Sequence, residues 1–141
     1  MADTNLHIGE IAERVGLSLR TVRFYEEQGL ITPKGRTDGG FRLYTDEHVD
    51  RLLLIKHMKP LGFSIQQMRE LLDTRDTLST LSPADSTYPD ARARFSAFAD
   101  AASARVGDLK ATLATAEALA RQLHRERRRP QAIKTLFTAA D

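Results

Sequence analysis

Apolar residues recur with helical spacing near the start of the chain. One face of a short helix is predicted from the i, i+3, i+4, i+7 spacing of Ile8, Ile11, Ala12 and Val15. Gly16 interrupts this pattern, and Ser18 is suited to cap a second helix by accepting a hydrogen bond from a free backbone N–H. The second helix is predicted over residues 19–28, with Gly29 ending it. Two short helices joined by a turn that contains glycine predict a helix-turn-helix motif.

A β-hairpin is predicted after the second helix. Residues 30–33 and 41–44 are two short stretches that contain β-branched or aromatic residues. The segment between them ends in Gly39 and Gly40, and glycine supplies the positive φ angles that a chain reversal needs. We therefore expect two short strands joined by a glycine turn.

Two further helices and a change of composition follow the hairpin. A third helix is predicted over residues 46–61 with Thr45 as its cap, and Ser64 begins a capping box that opens a fourth helix through Leu72. From residue 74 to residue 89, Thr, Ser, Asp and Pro dominate the composition. This shift predicts a linker or surface loop, so the first 73 residues are expected to form one domain.

A long helix without proline is predicted over residues 90–129. Its apolar positions alternate with spacings of four and three residues, a period of 3.5 that is typical of a coiled coil. At ~1.5 Å per residue the helix would extend roughly 58 Å, so its apolar seam needs a partner, and a second copy of the chain is the simplest one. The predicted dimerisation residues are Phe95, Ala99, Ala102, Val106, Leu109, Leu113, Ala116, Ala120 and Leu123. Residues 130–141 form a short tail that is expected to pack back through Ile133, Leu136 and Phe137.

Composition limits the classes of function. A chain of 141 residues suits one small domain with a helical extension, and the absence of cysteine excludes disulfides, thiolate metal sites and cysteine nucleophiles. The longest apolar run, residues 52–55, is too short to span a bilayer, and residues 1–5 lack the features of a signal peptide, so a cytoplasmic protein without membrane contact is expected. The net charge of +2 does not by itself indicate a nucleic-acid partner.

The sequence contains no constellation typical of an enzyme or of a metal site. It has no glycine-rich phosphate loop and no G-x-S-x-G elbow, and Glu26–Glu27 is interpreted as a solvent-facing or helix-packing pair. The four histidines are not spaced as ligand pairs: His7, His48, His57 and His124. We expect no enzymatic activity, no metal site and no cofactor.

Three segments of the chain resemble the MerR family of bacterial transcription regulators. The similarity rests on "SLRTVRFYEEQGLITP", "GGFRLY" and "LGFS" in this order, and it covers about residues 7–73. Phe24 and Phe41 stand where the family commonly has tyrosine, and each removes one hydroxyl. The resemblance implies a mostly α fold, in which a winged helix-turn-helix DNA-binding head with a small β-hairpin wing precedes a long coiled-coil helix that forms antiparallel dimers.

The resemblance also implies a function. It implies a homodimer that binds a pseudo-palindromic promoter, then bends and untwists it so that RNA polymerase engages both promoter elements, often in response to an effector. The residues agree, since an α-helix fits the major groove and arginine and hydroxyl side chains suit base edges and phosphate oxygens. Two such heads would meet successive major grooves, roughly 34 Å apart. The predicted DNA-binding residues are Ser18, Arg20, Thr21, Arg23, Tyr25, Arg36, Phe41, Arg42 and Tyr44.

Alternatives remain at this point. The chain could instead be a coiled-coil protein–protein interaction module without operator binding, and Tyr25 and Tyr44 could instead be half-buried core residues. Lys56 and Lys59 are interpreted as ordinary helix-surface charges. The protein either acts without a ligand or binds a small-molecule effector between the coil and the head of the partner copy. The apolar residues expected around such a site are Leu78, Leu81, Tyr88, Phe95 and Phe98.

Overall fold

The computed structural model describes residues 5–129, so the predicted tail contacts of residues 130–141 lie outside the described part. Five α-helices and a two-stranded antiparallel hairpin follow one another along the chain. They are α1 (Ile8–Val15), α2 (Leu19–Glu27), β1 (Gly35–Arg36), β2 (Arg42–Leu43), α3 (Asp46–Met58), α4 (Ile65–Thr80) and α5 (Tyr88–Arg128). The chain divides into two units, one that ends at Ala99 and one that begins at Asp100.

The helix-turn-helix forms as the apolar pattern predicts. Gly16 ends α1 in the left-handed conformation at φ 68°, which residues with a Cβ adopt reluctantly. Ser18 then caps α2, since its Oγ accepts a hydrogen bond from the backbone N–H of Thr21 at 3.1 Å. Gly29, at φ 75°, ends this second helix. The predicted elements and their caps are confirmed here.

The hairpin is confirmed, but its first strand is shifted. β1 pairs Gly35 with Leu43 and Arg36 with Arg42, whereas the predicted strand at residues 30–33 is wrong. Leu30 and Ile31 are both in the core, and two consecutive buried side chains do not fit the alternation of a strand that is half exposed. Of the predicted glycine pair, Gly40 supplies the positive φ, at 82°.

The third and fourth helices depart from the predicted ends. α3 stops at Met58 and continues as a 3₁₀ turn, Lys59–Leu61, because Pro60 lacks the N–H that an α-helix would use. α4 opens on the predicted capping box of Ser64 but runs on to Thr80, so the prediction of a loop was wrong for residues 74–80. Thr74 shows why composition misled: its buried hydroxyl donates to the carbonyl of Glu70 at 2.7 Å, which satisfies a polar side chain inside a helix.

The core of the first unit lies around α3, which packs against α1 and against α4. Large side chains from every helix of this unit are buried there, together with the segment that follows α2. Those with almost no exposed surface are Ile11, Val15, Val22, Leu30, Ile31, Leu52, Ile55, Met68 and Leu72. Ala91 of α5 is also fully buried. Within the described residues, no helix has the length and apolar character needed to cross a membrane.

Truncation of a side chain at the centre of this core tests the packing. Leu52 has no exposed surface, so Leu52→Ala should lower the free energy of unfolding by about 2–5 kcal/mol through lost burial and the cavity left behind. Leu119→Ala, at an exposed position of α5, serves as the matched control and should change it by less than about 0.5 kcal/mol. Urea unfolding at one fixed protein concentration measures both, and equal effects would contradict the placement of Leu52.

Candidate nucleic-acid interface

The N-terminal half of α2 presents the predicted polar residues on the surface. Ser18, Arg20 and Arg23 are exposed, and Thr21 is half-buried. The hydroxyls of Ser18 and Thr21 lie 2.8 Å apart and are hydrogen-bonded to each other. This end of the helix also carries the positive end of the helix dipole. The structure therefore brings two cations and two hydroxyls together at a helix N-terminus, an arrangement suited to anionic oxygens.

The hairpin presents a second polar surface. Arg36 is exposed, and its Nη1 donates to the carbonyl of Gly40 at 3.0 Å, which braces the turn. Phe41 is 66% exposed, and its ring meets that of His7 edge-on at a centroid distance of 6.2 Å. Arg42 is half-buried. An exposed arginine and an exposed aromatic ring thus stand at the tip of the hairpin, and their contact with DNA stays a prediction.

Glu26 connects α2 to the hairpin. Its carboxylate accepts a hydrogen bond from the Tyr44 hydroxyl at 2.6 Å and forms an ion pair with Nε of Arg42 at 3.0 Å. Tyr44 has no exposed surface, so a DNA contact by this residue does not fit the structure, and its alternative interpretation as a core residue does. Burial, followed by the hydrogen bond to Glu26, raises the pKa of the Tyr44 phenol above its ordinary value.

A groove of about 510 Å³ lies beside α2. Arg20 and Lys59 contribute the positive charge of this groove, and the N-terminal end of α4 contributes Ser64 and Ile65. Tyr25 also lines the groove, but it is only 2% exposed, and burial raises the pKa of its phenol. The predicted contact of Tyr25 with phosphate stays a prediction. The complete lining is Arg20, Thr21, Phe24, Tyr25, Lys59, Phe63, Ser64, Ile65 and Met68.

Lys56 has a structural role that the sequence did not indicate. Its Nζ donates to the carbonyl of Val15 at 2.8 Å, and that carbonyl has no partner within α1 because the helix ends there. The interpretation of Lys56 as an ordinary surface charge was therefore wrong. A Cβ added at Gly16 would lie 2.8 Å from the same Nζ, so the turn and the lysine depend on each other.

A second groove, of about 550 Å³, separates α4 from the first turns of α5. Two carboxylates, an arginine and two threonines give it a mixed polar lining: Glu70, Asp73, Thr74, Thr77, Arg94, Ala97 and Phe98. Phe98 both lines this groove and belongs to the apolar residues that are predicted to surround an effector. The effector site itself stays a prediction. Within residues 5–129, no three histidine or carboxylate side chains are grouped to hold a metal ion.

Residues 6–75 match the family model described as "MerR HTH family regulatory protein". This span contains α1, α2, the hairpin, α3 and most of α4, and it includes Arg20, Arg23 and Arg36. The chain belongs to the MerR family. The resemblance drawn from the three sequence segments is thereby confirmed, and the predicted winged helix-turn-helix fold agrees with the structure.

Curated relatives match about half of the MerR-family chain. The HTH-type transcriptional regulator CueR of Yersinia pestis is 42% identical over 67 residues, which are 48% of this chain and 48% of that protein. The HTH-type transcriptional regulator ZntR of Escherichia coli K12 is 46% identical over 68 residues, again 48% of each chain. The chain spans about half the length of the curated relatives it matches. These relatives are transcriptional regulators rather than enzymes.

A solved structure extends the likeness beyond the head. HiNmlR, described as a MerR family regulator lacking the sensor domain and bound to promoter DNA, superposes with a TM-score of 0.67. The alignment covers 88% of this chain and 94% of that chain at 22% sequence identity. At this identity the comparison shows that the two MerR-family proteins share a fold.

The Glu26–Tyr44 contact generates a pH prediction. The folded state raises the pKa of Tyr44 above the unfolded value of about 10. The folded state is therefore stabilised by the protonated phenol, fully below about pH 10 and progressively less as the pH rises further. Tyr44→Phe should lower the free energy of unfolding by about 1–3 kcal/mol at neutral pH and flatten its alkaline decline. Part of the alkaline decline in the free energy of unfolding should remain in this variant, because burial raises the pKa of Tyr25 as well.

Urea unfolding across neutral and alkaline pH measures both effects. Tyr88→Phe is the matched control, because it removes a hydroxyl from a half-buried tyrosine outside the contact with Glu26. An alkaline decline that is equally steep in the Tyr44→Phe variant and in the wild type would contradict the raised pKa of the buried Tyr44 phenol.

Proposed function

We propose that this protein is a sequence-specific, DNA-binding transcriptional regulator of the MerR type. The observation that carries the proposal is the pair of exposed arginines, Arg20 and Arg23, on a helix whose two ends are fixed by a serine cap and a glycine. A helix held in this way and bearing free guanidinium groups suits the major groove of a duplex. The alternative of a coiled-coil interaction module without operator binding would leave this surface without a role.

Different parts of the interface contribute differently. Arg20 and Arg23 reach base edges or flanking phosphates, since a guanidinium is a fork of donors that matches guanine as well as phosphate. Ser18 and Thr21 donate to phosphate oxygens and fix the register without reading sequence. Arg36 and the accessible part of Arg42 hold the backbone beside the groove, and Phe41 packs against a sugar. The interface therefore positions the helix by phosphate contacts and reads sequence by a few arginine contacts.

A second copy of the chain completes the regulator. Apolar residues of the predicted seam are exposed on α5, among them Leu109 at 48%, Leu113 at 58% and Leu123 at 53%. A row of half-exposed leucines costs free energy in water, and an antiparallel coiled coil between two copies would bury it. A homodimer would match the two halves of a pseudo-palindromic promoter site.

Transcription is regulated through the shape of the DNA in this proposal. A dimer whose two heads do not match the spacing of relaxed DNA bends or untwists the duplex, at about 1–6 kcal/mol for a smooth bend. The deformation changes how RNA polymerase meets the two promoter elements. The regulator acts in the cytoplasm, where the promoter is, and a small-molecule effector that occupies the region of Leu78 to Phe98 would shift its activity.

Arginine substitutions test the interface. A binding site is first selected from a pool of random duplexes, and affinity is then measured at several salt concentrations. Arg20→Ala and Arg23→Ala should each weaken binding to the selected site by about 10- to 100-fold, because each removes a charged contact to base or phosphate. The logarithm of the association constant should fall linearly with the logarithm of salt concentration, with a slope of about −0.9 per phosphate contacted.

Arg75→Ala is the matched control, since Arg75 is an exposed arginine on α4 and does not line the groove beside α2. It should leave affinity for the selected site unchanged. Selection of no preferred duplex, or equal losses for Arg20→Ala and Arg75→Ala, would reject the proposal in favour of a head that binds protein.

Charged substitutions in the seam test the dimer. Leu109→Lys and Leu113→Lys place ammonium groups at positions that a second helix would bury, so the mass in solution should fall from twice 15.8 kDa to 15.8 kDa. Lys110→Ala, beside the seam but outside it, should leave the dimer intact. Sedimentation equilibrium at micromolar concentration distinguishes these results, and a wild-type chain that sediments as a monomer contradicts the proposal.

A further inference from the structure

Three side chains hold the segment that links α2 to the hairpin, residues 28–34, here called the strap. Its carbonyls at residues 28, 30 and 32 each accept a hydrogen bond from a side chain of α3 or α4. Arg69 of α4 donates to Gln28 at 2.5 Å, Arg51 of α3 to Leu30 at 3.0 Å, and His48 of α3 to Thr32 at 2.6 Å. Lys34, the last residue of the strap, donates its backbone N–H to the carbonyl of Leu43 in β2 at 2.9 Å. Residues 28–33 belong to no strand in the described part, so side chains take the place of a sheet ladder there.

The donor roles follow from the chemistry of the partners. A carbonyl only accepts, so Nε2 of His48 carries the proton that points to Thr32, while Nδ1 accepts from the backbone N–H of Thr45 at 2.9 Å. His48 thus joins the strap to the start of α3. Arginine is permanently charged and offers five donors, which lets one guanidinium serve several acceptors.

Arg51 is the member of this set that joins three elements. Its Nε and Nη2 donate to the Leu30 carbonyl at 3.3 and 3.0 Å, and its Nη1 donates to both carboxylate oxygens of Asp76 at 2.7 and 2.8 Å. The side chain of Arg51 is 17% exposed, so its bonds are only partly screened by water. Asp76 lies in the second half of α4 and orients the guanidinium. The strap is therefore fixed at its middle by a charge pair between α3 and α4.

This attachment lies between α2 and the hairpin. The second strand side of the hairpin is tied to α2 through Glu26, which contacts Tyr44 and Arg42, and to the chain before α1 through two backbone hydrogen bonds between Leu6 and Tyr44. The first strand is reached through the strap, and the Leu30 carbonyl is the point at which Arg51 holds it. These contacts hold the second strand side, so the orientation of the first strand side depends on the contacts made by the strap. The hairpin and α2 are the two elements that the proposed function places on one duplex.

We propose that Arg51, oriented by Asp76, is a positioning residue that sets the hairpin at the angle to α2 from which both elements contact the same stretch of DNA. Arg51 itself touches no DNA in this proposal, which rests on the proposed function. Its loss loosens the strap at Leu30, while the bonds to Gln28 and Thr32 remain and α2 stays in place. The contribution of Arg36 to DNA binding then falls, and that of Arg20 remains.

A double-mutant cycle on DNA affinity tests the coupling between Arg51 and Arg36, which are not in contact in the structure. Lysine keeps the charge at position 51 but lacks the fork that bridges a carboxylate and a carbonyl. Arg36→Ala should weaken binding by about tenfold in the wild type and by less than about twofold in Arg51→Lys, whereas Arg20→Ala should weaken both about equally. Equal effects of Arg36→Ala in both backgrounds would overturn the proposal, because a general loss of stability gives additive effects.

Hydrogen exchange in the free protein separates failure of this proposal from failure of the proposed function. In Arg51→Lys, the hairpin amides of Lys34 and Thr37 should exchange at least about tenfold faster, while the amides of α1 keep their wild-type rates. Unchanged hairpin exchange overturns the proposal whatever the protein binds. Faster hairpin exchange in a protein that selects no duplex supports the role of Arg51 in positioning and rejects DNA binding alone.

Two further variants keep the test decisive. Asp76→Asn retains the donors to Leu30 and removes the charge that orients them, so it should reproduce the same pattern with smaller changes even if Arg51→Lys does not fold. Arg14→Ala is the matched control, because it breaks an exposed ion pair of 2.8 Å between α1 and Asp46 of α3 without touching the strap. It should leave the effect of Arg36→Ala and the hairpin exchange rates unchanged.

Discussion

The head depends on the need to satisfy backbone carbonyls where its short helices end. The last four carbonyls of any α-helix have no partner within it, and in helices of eight and nine residues these are close to half of all carbonyls. Lys56 donates to Val15 at the end of α1, and Arg69 donates to Gln28 just after α2. Cationic donors are well suited to this role because they also oppose the negative end of the helix dipole. α3 and α4 thus stabilise α1 and α2 by hydrogen bonds as well as by apolar packing.

This use of basic residues explains the modest net charge of a protein proposed to bind DNA. Several of the 21 lysines and arginines are engaged within the fold, since Arg51, Lys56 and Arg69 all donate to backbone carbonyls. Others, such as Arg20, Arg23 and Arg36, stay exposed on α2 and the hairpin. The charge that would meet phosphate is therefore a local feature of two elements. Whole-chain charge does not report it because it averages structural and surface cations together.

Glu26 and Arg51 have complementary roles at the two sides of the hairpin. Glu26 accepts from Tyr44 and pairs with Arg42, which ties the second strand to α2 by contacts between side chains. Arg51 acts on the strap through a backbone carbonyl and is oriented by Asp76. A two-stranded hairpin is marginal by itself in water, so its orientation has to come from such contacts with the helices. The geometry of the candidate interface is consequently decided by residues that lie behind it.

The sequence by itself determined the elements that local chemistry controls. Apolar spacing, the caps at Ser18 and Ser64 and the breaks at Gly16 and Gly29 depend on neighbours within one helical turn, so the helix-turn-helix, the start of α4 and the exposed Arg20 and Arg23 could be predicted. Tertiary structure alone decided the burial of Leu30 and Ile31, the extension of α4 to Thr80, and the partners of Tyr44, Lys56 and Arg51. Each of these contacts joins residues at least 18 positions apart or depends on burial, and a lysine that caps a distant helix has the same local sequence signature as one in solvent.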